Sequence, residues 1–99
     1  MPQTLKVAKT TDIAKLAGAI AHGLREDGEI IVSAIGAESQ RITGKAMELA
    51  GRFLSEEGSI LRHIRTDEQV SRQDGQGNTV TATLARYTVT KEEVANDER

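Results

Sequence analysis

The side chains able to do covalent or acid–base chemistry are few in this sequence, and none has the company it would need. There is no cysteine, which removes thiolate nucleophiles, disulfides, iron–sulfur clusters and Cys-type zinc sites. The two histidines, His22 and His63, fall on different elements without the spacing of a metal motif. None of Ser33, Ser39, Ser55, Ser59 and Ser71 lies in a G-x-S-x-G elbow. The adjacent acids Glu56–Glu57 and Asp67–Glu68 read as solvated charges on loops or element ends. Gly36 through Gly44-Lys45 has the flavour of a phosphate loop, but seven residues separate the glycines and Ala46 stands where a metal-binding hydroxyl is needed. What survives is weaker: backbone amides between Ala37 and Gln40, at a helix start, able to accept one anion. The expectation is no catalytic residue, no metal, no cofactor and no enzyme.

Charge is the remaining chemistry. Thirteen Lys and Arg stand against fifteen Asp and Glu, a net charge of −2, without the strongly basic footprint of a typical nucleic-acid binder. The acidity is local: Lys91 to Arg99 holds two basic and four acidic residues, leaving eleven of each sign in the rest. Lys6 and Lys9 flank the loop between the first strand and the first helix, Arg41 and Lys45 lie in the first turns of the second helix, and Arg62, Arg65, Arg72 and Arg86 decorate a hairpin. These cations either converge on one face or are scattered solvating charges, and the spacing alone leaves both readings open.

Six elements must position them. Leu5 and Val7 alternate with polar residues from Thr4 to Lys9, predicting a short strand. Ile13, Leu16, Ala17, Ile20, Ala21 and Leu24 follow helical spacing, with Thr11 or Asp12 as cap and Gly28 as stop. Ile30 to Ile35 is a near-continuous apolar run, which predicts a central strand covered on both faces. Gly36 makes a tight turn, and a second helix is predicted from about Ser39 to Glu57, with Gly44 permitting close helix packing. Ser59 to Gln69 and Thr79 to Val89 then form a long hairpin across the turn residues Asp74 to Asn78. Its tip leaves the body as an arm. The phase change between Val80/Ala82/Leu84 and Tyr87/Val89 predicts a bulge near Ala85.

The order β-α-β-α-β-β implies an α+β two-layer sandwich, two helices on one face of a four-stranded sheet. Ninety-nine residues suit a single domain over residues 1–90, followed by a frayed acidic tail over 91–99. With only Phe53 and Tyr87 aromatic the core is aliphatic and modest, so assembly into oligomers would add stability. The start shows no secretory pattern and no run approaches the ~20 apolar residues of a bilayer span, so a cytoplasmic location without membrane attachment is expected.

Several segments together resemble the Alba superfamily of chromatin and RNA-binding proteins, and within it the bacterial stage V sporulation protein S family. Leu5-Lys6-Val7-Ala8-Lys9 followed by Leu16-Ala17-Gly18-Ala19-Ile20 is similar to that family's opening strand and small-residue helix. Ile31-Val32-Ser33-Ala34-Ile35-Gly36-Ala37 resembles its second strand and glycine turn, and Arg52-Phe53-Leu54 the end of the Alba second helix. Val70-Ser71-Arg72-Gln73-Asp74-Gly75 with Val80-Thr81 resembles the Alba hairpin tip. The likeness spans about Leu5 to Val89.

The resemblance implies a dimer or larger homo-oligomer that holds DNA or RNA, without sequence specificity, by the first loop, the start of the second helix and the hairpin arms. By position Lys9 matches the loop lysine, Arg41 the basic residue early in the second helix, and Arg72 with Gly75, Gln76 and Asn78 the hairpin tip; Lys6 and Lys45 flank these positions. Alba loops commonly have a lysine pair where this chain has Lys9-Thr10, and a basic residue near the glycine turn where this chain has Ile35 or Ala37. The binding expected is therefore weak and salt-sensitive, with a regulatory role in sporulation or development. The competing expectation, motivated by the neutral body and acidic tail, is a regulatory interaction or scaffold module of the same fold that binds proteins and not nucleic acid.

Overall fold

The computed structural model describes residues 3–94, apart from the side chain of Arg72. The elements are β1 (Gln3–Val7), α1 (Ile13–Asp27), β2 (Glu29–Ile35), α2 (Ala37–Ser55), β3 (Ser59–Gln73) and β4 (Thr79–Glu93). The strands form one sheet in the order β1-β2-β4-β3, with β1 parallel to β2 and the other pairings antiparallel. The two-layer α+β architecture expected from the apolar pattern is the one observed.

Local chemistry explains where the helices begin and end. At the start of α1, Asp12 accepts a hydrogen bond from the Lys15 amide at 2.9 Å, and at its end Gly28 takes a left-handed conformation (φ 77°) and donates to Leu24. The predicted stripe of Leu16, Ala17, Ile20, Ala21 and Leu24 is the buried face. Close packing of a glycine occurs here: a Cβ at Gly23 would lie 2.6 Å from Ile30 Cδ1. It does not occur at Gly44, which is exposed and has nothing within 4 Å of an added Cβ, contrary to the sequence expectation. α2 begins two residues earlier than Ser39, directly after Gly36 (φ 89°), because that residue turns the chain sharply enough to start the helix at once.

The sheet has one covered face. Ile30, Val32 and Ala34 of β2 are buried against the helices, whereas Ile31 and Ser33 are half-buried and Ile35 is exposed on the opposite side. The expectation that β2 would be covered on both faces is corrected: with only two helices, both on one side, the apolar run outlasts its cover. The expected bulge near Ala85 is also absent. The β3–β4 register is unbroken from Ser59↔Glu93 to Gln73↔Thr79. The change of apolar phase marks the change of surroundings: Ala85, Tyr87 and Val89 point under the helices, whereas Leu84, Ala82 and Val80 lie on the other face as the hairpin leaves the body.

β2 pairs with β4 only between Thr90 and Leu84, so beyond Leu84 the hairpin strands pair with each other alone. They form an arm, and the molecule measures 63 Å along its longest axis against 22 and 21 Å across. β4 continues through Glu93, past the predicted start of the acidic tail, and Val94 donates to Gly58. The rest of that tail, from residue 95, lies outside the described residues.

Candidate nucleic-acid interface

The carboxyl end of β1, the turn after it and the start of α2 enclose a concave site of about 780 Å³. Lys6 and Lys9 line it from the first strand and turn, Arg86 from β4, and Gly36 to Ser39 from the helix start. The turn is set locally: Ala8 donates to the Thr11 hydroxyl at 2.8 Å, and Thr11 to the Ala8 carbonyl at 3.0 Å, which bends the chain directly before Asp12 caps α1. Gly36 has no side chain with which to cap α2, its own amide is spent on Thr83, and the Gln40 amide returns to Gly36. The amides of the first turn therefore open onto the site with the positive end of the helix dipole.

Glu38 stands on the same rim as the opposing charge. Its carboxylate accepts from Arg41 at 2.6 Å, and this hydrogen bond holds it below the usual carboxylate range. Arg41 is thus exposed, at the second turn of α2, but already occupied. Lys45 is one turn further along, exposed and outside the concave site.

Arg72 sits in the arm opposite Val80, far from the loop lysines in register, and its side chain is outside the described residues. Gly75, Gln76 and Asn78 form the exposed tip. There Asp74 accepts from the amides of Gln76 at 2.8 Å and Asn78 at 3.0 Å, which holds its carboxyl below the usual range. Gly77 (φ 85°) completes the turn. The structure thus brings Lys6 and Lys9 together, adds Arg86 and the α2 amides, and leaves Lys45 and the hairpin tip apart from them within one chain.

Arg86 is the member that sequence reasoning placed only among general hairpin charges. Its position shows through pairing: it stands opposite Ser33, which in turn stands opposite Lys6, so one row crosses three strands. That register is long-range information and has no local signature.

The cations divide by type. Among the described side chains every arginine is within 4 Å of a carboxylate: Arg25 with Glu57, Arg41 with Glu38, Arg52 with Glu48, Arg62 with Glu92, Arg65 with Asp67 and Arg86 with Glu68. Among the described residues Lys6, Lys9, Lys15 and Lys45 have no such partner, whereas Lys91 reaches Glu93 at 3.3 Å.

A second concave surface, of about 700 Å³, runs between α2 and β3. Met47, Leu61 and Tyr87 supply its apolar lining, and Gly44 and Gly51 leave the helix side bare. The Arg65 guanidinium lies 5.6 Å from the centre of the Tyr87 ring and also donates to Gln40, while His63 packs against the same ring at 6.0 Å.

Among the described residues no helix is long and apolar enough to cross a membrane. Comparison with curated proteins finds no match. Among solved structures the chain is similar to Alba from Thermoplasma volcanium, with a TM-score of 0.69 and 12% sequence identity over 88% of this chain and 98% of that one. At such identity the likeness establishes the fold. Sequence comparison adds what the fold alone does not: residues 3–91 match the family described as Stage V sporulation protein S (SpoVS), so the chain belongs to that family.

Proposed function

We propose that this protein is a small non-enzymatic nucleic-acid-binding protein, acting in the regulation of sporulation or development, that holds phosphate backbones weakly and without sequence specificity. The observation that supports it most is the meeting of two unpaired lysines, Lys6 and Lys9, with the uncapped start of α2 in one concave site. Backbone amides at a helix start and lysine ammonium groups both suit a phosphate, the first by fixed donors and the second by mobile charge. Arg41 adds to the rim when a polyanion displaces Glu38, and Lys45 and the hairpin tip with Arg72 extend the contact along a polymer. No helix is presented for base reading, so contact is with the backbone.

The binding unit in this reading is a homodimer, and the groove between α2 and β3 is its seat. The apolar lining and the bare Gly44 favour close approach of a second copy there. Lys6 and Lys9 alone give two copies four phosphate contacts, so affinity for duplex DNA falls by at least about two decades between 50 and 200 mM salt.

The test is a fluorescence-anisotropy titration of duplex DNA, single-stranded DNA and RNA at both salt concentrations, with wild type beside the Lys6→Ala/Lys9→Ala chain. Equal, negligible binding by both proteins at the lower salt would sink the proposal. A second reading, an interaction module that binds proteins and not nucleic acid, draws on the pairing of every described arginine with a carboxylate. That same negative titration would favour it.

A further inference from the structure

The concave site at the start of α2 holds more donors than the backbone of a polymer can use. The Gly36 amide goes to Thr83 and the first bond of the helix runs from Gln40 to Gly36, which leaves the amides of Ala37, Glu38 and Ser39 without an acceptor among the described residues. The Ser39 side chain adds another donor. Ser39 is only 5% exposed and lines the site, yet its hydroxyl has no hydrogen-bond partner among the described residues. No enclosed side-chain oxygen or nitrogen there lacks a partner, so this hydroxyl reaches the accessible surface, and the surface that Ser39 lines is the concavity. Helical side chains lean toward the helix N-terminus, which aims it the same way as the amides. Thr43, one turn further on, shows the contrast: its buried hydroxyl is spent on the Ser39 carbonyl at 2.9 Å.

The rest of the wall has two characters. Lys6 and Lys9 bring unpaired charge, and Arg86 brings a guanidinium that it shares with Glu68 at 3.4 Å. Glu38 stands on the rim with its carboxylate held by Arg41. Beside the cations the lining turns apolar at Ile35, which is 38% exposed, and at Leu84. At about 780 Å³ the space is far larger than a phosphate group, so a body attached to the phosphate has room against that apolar wall.

We propose that this site is a seat for a phosphomonoester, a terminal phosphate carried on a nucleoside, in preference to an internal phosphodiester; the inference rests on the reading of the site as a phosphate binder. A phosphomonoester has three free oxygens and a charge of about −1.5 to −2 near neutral pH. An internal diester has two free oxygens and a single charge, and its chain must leave the concavity on both sides. Three amides and a buried hydroxyl at one helix end therefore suit the group that enters end-on, with the cations balancing its second charge. Its single attachment then runs out along Ile35 and Leu84. Two sources carry this chemistry, the 5′ end of a polynucleotide and a free nucleoside monophosphate.

The full chain is titrated by fluorescence anisotropy with two single-stranded oligonucleotides of one sequence, labelled at the 3′ end, one bearing a 5′-phosphate and the other a 5′-hydroxyl. Wild type is expected to bind the phosphorylated strand at least about tenfold more tightly, since hydrogen bonds to a charged group are each worth that much. Ser39→Ala and Ala37→Pro should each reduce that preference severalfold. Proline is tolerated at the first helical position, where the amide has no partner in the helix, so the second variant removes a donor and keeps α2, as circular dichroism verifies. The ratio of the two affinities is the readout, because general damage to the fold weakens both.

Adenosine 5′-monophosphate set against adenosine, with the amides of residues 37–39 followed by NMR, forms the second arm. Shifts with the monophosphate alone support the proposal and name a free nucleotide as a source; a 5′-phosphate preference without them supports it with the strand end as the source. Equal affinity for the two strands together with unmoved amides overturns it, as does a preference that both variants leave intact. If that equal binding is lost in the Lys6→Ala/Lys9→Ala chain, backbone binding survives and only the phosphomonoester seat falls. Amide shifts with the monophosphate and no binding of either strand uphold the seat and remove the polymer reading instead.

Discussion

Two cationic regions of this molecule are alike in number and opposite in availability. At the end of β1, Lys6 and Lys9 line a concave site beside the free amides of α2, and neither ammonium has a carboxylate within 4 Å among the described residues, the Glu38 carboxylate on the rim being held by Arg41. On the open face of the hairpin, Arg62 and Arg86 are each held by a glutamate. Net charge treats these cations as equal, but their neighbours do not. An exposed ion pair contributes little to stability, with a median of about 0–1 kcal/mol, yet it occupies a guanidinium that a phosphate would otherwise take. The comparison teaches that a chain with net charge −2 can keep a local cluster of unpaired lysines, provided its carboxylates are spent on other cations.

The sharpest way to break this comparison is to exchange the two regions in mutagenesis. Lys6→Ala/Lys9→Ala is expected to lower affinity for duplex DNA on the order of 10²-fold or more at 50 mM salt. Arg62→Ala/Arg86→Ala should change it less than severalfold, since only Arg86 borders the site. Equal losses in the two double variants, measured by anisotropy, would show that pairing does not decide availability.

Salt dependence sharpens the same point. The log–log slope on duplex DNA should be at least as steep as about −3.6, since Lys6 and Lys9 of a dimer give four contacts at about −0.9 each, and it should flatten by roughly that amount in the lysine variant.

A smaller effect in the opposite direction is expected from Glu38→Gln. It leaves Arg41 unpaired beside the site, so affinity should rise severalfold and the slope steepen by roughly one for every additional phosphate that Arg41 neutralises. Affinity and slope both unchanged would mean that Arg41 does not reach the polymer.

The smallest effect is at the hairpin tip. Asp74 is stabilised as the carboxylate by the amides of Gln76 and Asn78, so its folded pKa lies below its unfolded value. That contribution is fully present above the ordinary carboxylate pKa of about 3.9 and is lost as pH falls through the depressed folded value. The Gln76 and Asn78 amide shifts, followed by NMR, should titrate with a midpoint below that ordinary value; a midpoint at or above it contradicts the turn geometry.

Much of the fold was legible because it is written in short-range periodicity. The stripe of Ile13, Leu16, Ala17, Ile20 and Leu24 predicts α1 with its cap and stop, and the turn residues Asp74 to Asn78 predict the hairpin. The errors fall where periodicity must be interpreted through surroundings. The run from Ile30 to Ile35 cannot say how many layers cover it, and the phase change near Ala85 looks the same whether a bulge occurs or the strand passes out from under its helices. Gly44 shows a related ambiguity, since a missing side chain serves close packing and an open groove equally well.

The site divides in the same way. Lys6, Lys9 and the amides after Gly36 were recognisable because they lie beside predicted strand ends and a helix start, where local geometry exposes them. Arg86 was not, because its place at the site depends on the register of β4 against β2, and Arg41's engagement with Glu38 depends on rotamers chosen in the folded helix.

By itself the sequence determined the order of elements, the aliphatic core stripes, the turn chemistry and the absence of cysteine, since each depends on residue identity and on spacing within a few positions. Only the tertiary structure decided which cations are free, which sheet face is bare and which side chains share the concave site. Those properties depend on distances between segments far apart in the chain, and electrostatic pairing and burial are functions of distance, not of order along the backbone.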